Sequence, residues 1–451
     1  MEFALTSFFL ILFILIIYKS AFFDLPGISR KITVAAFGLK VSFSFVIWAI
    51  YTFYYTDRST SDIFKYFDDG KILHGLFYES PLNYFKVVFG IDTSSADIKS
   101  HLEKLNFWYK THNYGIFNDN RTIIRFNSLV NLFSMGYYHI HSLTMCFLSF
   151  IGLTALYKVF IPHLKNKSKE LFFAVFLLPS VLFWGSGVLK EGLLIFSLGC
   201  LIYQFMKILD NQFNTLRLLW IFSLLGLLFI TKVYLLLMIL PGLIALLVIK
   251  FTGTKKAGLK FILVHFLLIA MALNWKLILR LPGGELTGTE VVTGKSLDLL
   301  NMLKYKQKDF IHEAKIEKAG SYIELGELDN TLSSFIANTP RGISNVLFRP
   351  HLLDSRSPIV LLAALENLIF IFLIILAFLF FKKPTEQEKP ILYFSISFVI
   401  LLALLIGLVV PVLGAIVRYK VPMLPFYAII FLTLIDKEKL ITKLPFLKFI
   451  R

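Results

Sequence analysis

Tyr54-Tyr-Thr-Asp-Arg-Ser-Thr-Ser-Asp-Ile-Phe-Lys-Tyr-Phe-Asp-Asp-Gly-Lys71 begins where an apolar run over residues 32–55 ends. That run is long enough to cross, as a helix, a bilayer core about 30 Å thick. Within a few residues the chain then becomes dense in carboxylates: Asp57, Asp62, Asp68 and Asp69, with Arg58 and Lys65 between them. Carboxylates just past a helix end sit at the edge of a low-dielectric slab, close to anything carried in the lipid, without the full cost of burial. The stretch reads as the reactive lip of a membrane protein.

The rest of the chain agrees with that setting. Of its 451 residues 57% are hydrophobic and only 17% are charged, too little charge for a soluble chain of this length. Apolar segments are expected at 3–18, 32–55, 137–160, 171–184, 188–206, 218–231, 233–249, 261–281, 359–381, 391–410 and 421–435. The fold class is therefore an all-α polytopic membrane protein of about 11 spans. Two long polar stretches interrupt them, 56–125 and 282–358, with amphipathic helices expected at 62–76, 95–109 and 296–316. Bends are expected at Gly185-Ser-Gly187 and at Lys232.

The formal net charge is +17, but the cations cluster in alternate short loops rather than in a basic patch. This is the positive-inside pattern, not a nucleic-acid surface. It puts the N-terminus outside, the C-terminus in the cytoplasm and both long polar stretches on the extracytoplasmic face. The N-terminus lacks a basic n-region, so a first membrane helix is expected there rather than a cleaved signal. Cys146 and Cys200 lie in apolar runs and suggest neither a disulfide framework nor a metal site. No nucleotide-binding or hydrolase motif occurs in a usable context.

Several charged groups carry candidate chemistry, each beside a plainer reading. Asp68 and Asp69, with Asp57, offer oxygen ligands suited to Mg²⁺ or Mn²⁺, or form a solvated helix face. Lys190 and Glu191 open the segment after the Gly185 bend, either as functional groups or as a pair that stabilises the bend. Lys232, Arg341, Arg349, Arg418 and Lys420 are cations suited to a phosphate, or to lipid headgroups. Glu366 lies within a span. His139 and His141, two apart, fall on different helix faces and read as interfacial aromatics rather than a metal pair.

Ser61-Asp-Ile-Phe-Lys-Tyr-Phe-Asp-Asp-Gly-Lys-Ile-Leu-His-Gly75, followed by Phe77-Tyr-Glu-Ser-Pro81, resembles the first external loop of GT-C type glycosyltransferases. The 179–191 hairpin resembles a recurrent hairpin of bacterial polysaccharide-assembly membrane proteins, and Arg418-Tyr-Lys-Val-Pro-Met-Leu-Pro425 resembles the ends of many GT-C and Wzy-like polymerase proteins. The resemblance implies a GT-C-like bundle in a bacterial inner membrane. It implies a polyprenyl-(di)phosphate-linked sugar donor and a glycan or lipid acceptor, brought together in cell-surface glycan assembly. Asp62 would be the general base, preceding Tyr66 on one helix; Asp62 also suits a helix N-cap. Some members pair acidic residues at this loop, which leaves Asp57 as an alternative base. Lys190, Glu191, Lys232, Arg349, Arg418, Lys420 and Tyr66 would hold substrate and phosphate. The rival is a flippase or transporter of a lipid-linked oligosaccharide, which needs charges deep in several helices or broken helices in matching halves.

Overall fold

The computed structural model describes residues 1–109, 119–164, 166–274, 299–316, 318–354 and 357–444. The regular secondary structure of the described residues is helical, apart from two isolated β-bridges, Tyr322 with Val412 and Phe381 with Ile435. The chain divides into two compact units, Met1–Leu236 and Leu237–Arg451.

In the first unit, α1 (Glu2–Lys19) and α2 (Arg30–Ala49) are joined through Arg30, whose guanidinium donates to the carbonyls of Ile17 and Ser20 at 3.0 and 2.6 Å. These are carbonyls that the end of a helix leaves without intrahelical partners. Ser29 caps α2, its hydroxyl accepting from the Ile32 amide. A π-helical turn, Ile50–Tyr54, carries α2 to the acidic stretch.

The first polar stretch then folds into α3 (Asp62–Glu79), α4 (Pro81–Val88), α5 (Ala96–Leu102) and α6 (Asn120–Ser134). Ile63, Phe64, Phe67, Leu73 and Leu76 recur at three- and four-residue spacing and are all buried, which makes α3 an amphipathic helix lying on α6. Met135 and Gly136 both have positive φ and turn the chain from α6 into α7 (Tyr138–Phe160). α7 packs closely on α10 (Lys190–Leu209). A Cβ at Gly152 would overlap the Ile195 carbonyl and one at Gly199 would overlap the Gly152 carbonyl, so the two backbones touch. Small residues allow such close approach where lipid gives no hydrophobic drive.

His141 departs from the interfacial role expected of it. It is fully buried, with its ring nitrogens 2.8 Å from Asn127 Oδ1 and Ser134 Oγ. Its neighbour His139 does keep aromatic company, packing against Phe45 and Trp48. Lys40, on α2, is 1% exposed, and its ammonium lies against the backbone of Gly185.

The second unit contains α12 (Ala257–Leu273), α13 (Leu299–Ile316), α14 (Leu332–Phe348), α15 (Pro358–Leu379), α16 (Lys389–Val409), α17 (Leu413–Tyr419), α18 (Leu424–Leu434) and α19 (Lys437–Lys443). Gly342 and Gly407 let α14 and α16 approach backbone to backbone. Gln307, 2% exposed, ties the amphipathic α13 to the carbonyls of Gly326 and Leu408 and to the Leu328 amide.

Eleven spans were expected. Seven helices among the described residues are long and apolar enough to cross a membrane, or up to eight if the bent pair Leu413–Tyr419 and Val421–Leu434 is one span. Segment 171–184 is broken by Pro179 into α8 (Ser168–Phe172), a π turn Phe173–Leu177 and α9 (Pro179–Trp184), each too short to cross. Segments 218–231 and 233–249 are two helices that meet at a kink at Lys232, as expected, where φ is −155° and ψ is 85°. They run on as one continuous element, α11 (Thr215–Thr252), and so count once among the seven. The segment expected at 261–281 corresponds to α12, a shorter apolar helix, and residues 275–281 lie outside the described set.

Candidate functional site

The acidic stretch sorts its carboxylates into different tasks. Asp57 is exposed and organises its own turn: Oδ1 accepts from the Ser59 amide and hydroxyl at 2.9 and 2.6 Å, and these bonds hold its pKa below the usual value. Asp68 takes a two-point contact from the Arg58 guanidinium at 2.9 and 2.7 Å. Asp69 is fully buried and accepts from the amides of Asn106 and Phe107 at 3.0 and 2.7 Å. Burial raises its pKa against the pull of those two donors. Asp68 and Asp69 thus serve separate structural contacts, and they point apart as adjacent residues on a helix must. No group of three or more His, Cys, Asp or Glu is gathered among the described residues.

Asp62 stands in the first turn of α3, with Ser61 in the N-cap position, so Asp62 itself is not the cap. Its carboxylate is 33% exposed and Oδ1 lies 4.0 Å from the Lys65 ammonium. One turn on, Tyr66 falls on the same face of the helix. Its hydroxyl reaches Asn120 Oδ1 at 3.3 Å, and its ring lies 5.1 Å from the Lys190 ammonium.

Around that ammonium the site is assembled. Lys190 is the first residue of α10, and its Nζ donates to Asn120 Oδ1 at 2.7 Å and pairs with Asp119 Oδ2 at 2.8 Å. Lys232, at the break in α11, pairs with the same Asp119 oxygen at 2.6 Å. The side chains of Lys190, Lys232 and Asp119 are 5%, 15% and 17% exposed. Two ammoniums therefore share one carboxylate in a partly dry setting. Placing Lys190 at a helix N-terminus sets its charge against the macrodipole. Glu191 follows, 2% exposed, in the first turn of α10, where a carboxylate complements that dipole.

Three residues singled out from sequence, Tyr66, Lys190 and Lys232, thus meet in one cluster. Asp119 and Asn120, which join them, had not been singled out. Asp119 sits in the N-cap position of α6, yet its side chain makes no capping bond and goes to the two lysines instead. An Asp-Asn pair before an amphipathic segment reads as an ordinary helix start, and nothing local reveals its distant partners.

In the second unit, Arg349 and Lys420 meet in an internal latch. Arg349 holds Asp354 through two nitrogens at 3.0 and 2.6 Å. Lys420 is 1% exposed, and its ammonium donates to Asn367 Oδ1 at 2.7 Å and to the carbonyls of Val346 and Arg349. Its three donors are all engaged by groups of the chain itself, where the sequence reading had it hold phosphate. Arg349 is likewise committed to Asp354. Arg418 is half-buried in the last turn of α17. An apolar cavity of about 260 Å³, lined by Phe348, Leu353, Leu368 and Ile371 among others, borders the latch.

Comparison with family models, curated proteins and solved structures finds no match to this chain.

Proposed function

We propose that this membrane protein is a glycosyltransferase that uses a polyprenyl-(di)phosphate-linked sugar in cell-surface glycan assembly. The observation that carries the reading is the pair Lys190 and Lys232, held on a single carboxylate next to the α3 face that bears Asp62 and Tyr66. In this reading Asp62 accepts the proton from an acceptor hydroxyl as that oxygen bonds to the sugar. The sugar–phosphate bond breaks, and the leaving lipid phosphate gains negative charge, which two ammoniums at a partly dry site stabilise. A lipid donor arrives laterally from the bilayer, so the reactive groups belong at the rim of the helices. The positive-inside pattern supports an extracytoplasmic site in a bacterial inner membrane, with the N-terminus outside and the C-terminus in the cytoplasm.

The test is transfer of labelled sugar from a polyprenyl-phosphate donor in membranes carrying the full chain. Asp62→Asn should remove product and Lys190→Ala should slow its formation about 10²-fold, neither lowering the amount of inserted protein. Normal product in both variants would end the proposal.

The break of α11 at Lys232 and the bent pair α17–α18 favour a second reading, a flippase for a lipid-linked oligosaccharide, since transporters build binding sites at interrupted helices. Transbilayer movement of an intact labelled lipid, with its sugar–phosphate bond unbroken, would select it. A repeat-unit polymerase of Wzy type would differ from a single-transfer enzyme in its products, a ladder rather than one added unit.

A further inference from the structure

Arg121 and Arg125 lie one turn apart on α6, and the ion pairs of the described residues include neither of them. Both guanidiniums lie over the ring of Trp108, at 5.1 and 5.2 Å from its centroid, and Arg121 also lies 5.6 Å from the ring of Tyr109. Among the described residues, the hydrogen bond these two side chains make runs from Arg121 Nε to the Trp108 carbonyl, at 3.1 Å. Arg125 Nε is buried with no acceptor among them, and its two terminal nitrogens lie beside Gly90, 3.6 and 3.8 Å from where a Cβ would stand. Burial, then the neighbouring Arg121 charge, pull the Arg125 pKa down to about 10.

Two like charges four residues apart on a helix repel. Covering part of one of them without a counter-ion adds a desolvation cost. The indole recovers some of that cost through cation–π attraction, but neither charge is neutralised. An oxyanion placed across the two forks would satisfy their free N–H groups and remove the repulsion.

The position of the pair limits what brings the oxyanion. Arg121 directly follows Asn120, which belongs to the Lys190 cluster. Arg125 is one helical turn, about 5.4 Å, further along α6, so the distances involved are those of one or two sugar units. Trp108 is fully buried beneath the arginines, but Tyr109 is 47% exposed and presents an aromatic face beside them. Such a face suits the apolar side of a pyranose.

We infer that Arg121 and Arg125, on Trp108 and Tyr109, form a binding site for the carboxylate of an acidic saccharide. The inference rests on the reading of this chain as a protein that handles sugars. It adds that the glycan carries negative charge of its own, recognised apart from the lipid phosphate.

The experiment uses the full chain in detergent, with calorimetric binding of tetragalacturonate, of neutral maltotetraose and of inorganic phosphate. Tetragalacturonate should bind at least tenfold more tightly than maltotetraose. Arg121→Gln and Arg125→Gln should each abolish that preference, while Arg125→Lys should keep part of it, and thermal unfolding should show each variant folded. Equal binding of the two saccharides overturns the site, as does a preference that survives both Gln substitutions. Inorganic phosphate displacing tetragalacturonate at equal concentration overturns the saccharide assignment and leaves a free-anion site. Lys190→Ala separates the two proposals: it should leave the acidic preference intact. A chain that shows the arginine-dependent preference but transfers no sugar upholds this site and overturns the transferase reading.

Discussion

Asp119 Oδ2 lies 2.6 Å from the ammonium of Lys232, the residue at which α11 ceases to be helical. The carboxylate thereby joins the start of α6 to a break in a long apolar helix, with Lys190 as the third member 2.8 Å away. Asp119→Asn should destabilise the protein by about 3 kcal/mol, because two largely covered ammoniums lose their shared counter-charge. Thermal unfolding in detergent reads this, and pairing Asp119→Asn with Lys232→Met should recover part of the loss. A single variant that melts with the wild type would mean the three charges do not hold this junction.

Catalytic consequences separate the acidic residues. Lys190→Ala and Lys232→Ala should each slow sugar transfer by about 10²-fold, the usual effect of losing one donor to a developing oxyanion. Asp62→Asn should abolish it. Asp57→Asn should change it little, because that exposed carboxylate serves its own turn. Equal losses at Asp57 and Asp62 would make both residues structural.

The Lys420 latch makes a prediction about stability alone. Lys420→Ala leaves Asn367 Oδ1 and two carbonyls without their donor. At about 1–3 kcal/mol for each buried polar group left unsatisfied, unfolding should shift sharply downward. Donor use should be unchanged in protein that remains folded. A Lys420→Ala variant with wild-type stability and reduced affinity for the lipid donor would return this residue to phosphate binding.

The Arg349–Asp354 ion pair of that unit supplies a pH dependence. The Arg349 hydrogen bonds hold the Asp354 carboxyl below its ordinary value of 3.8. A carboxylate with a lowered folded pKa binds fewer protons when folded than when unfolded. Its contribution is therefore complete above the unfolded pKa and is lost as the pH falls through the folded one. The difference in melting temperature between wild type and Asp354→Asn should close as the pH falls below about 4. A difference that widens below about pH 4 would reverse the sign.

The helical, membrane-crossing character of the chain was legible because it depends on local composition. Runs such as 137–160 and 188–206 have no stable alternative in lipid. The break at Lys232 was legible too, since a lone cation in an apolar run marks a place where the helix is interrupted. The break at Pro179 was not, because proline divides there what hydropathy alone joins. The cluster was half legible: Lys190 and Lys232 stand out as cations at helix rims, and Tyr66 was marked only by the resemblance of its loop. Asp119 and Asn120 do not, because their partners are tens of residues away and their local pattern is that of a helix start. Lys420 and Lys190 look alike in sequence, each a cation at a span end, and only packing shows that one is bound by an amide and carbonyls and the other shares a carboxylate with Lys232.

Asp69 grips the amides of Asn106 and Phe107, and Trp108 is the next residue. The indole on which Arg121 and Arg125 rest is therefore positioned by a carboxylate on another helix, one that belongs to the stretch bearing Asp62. On the proposed reading, retuning this chain toward a neutral glycan would mean treating the α3 anchor and the arginine pair as a single module. Exchanging the arginines alone would leave the old floor in place beneath the new ligand.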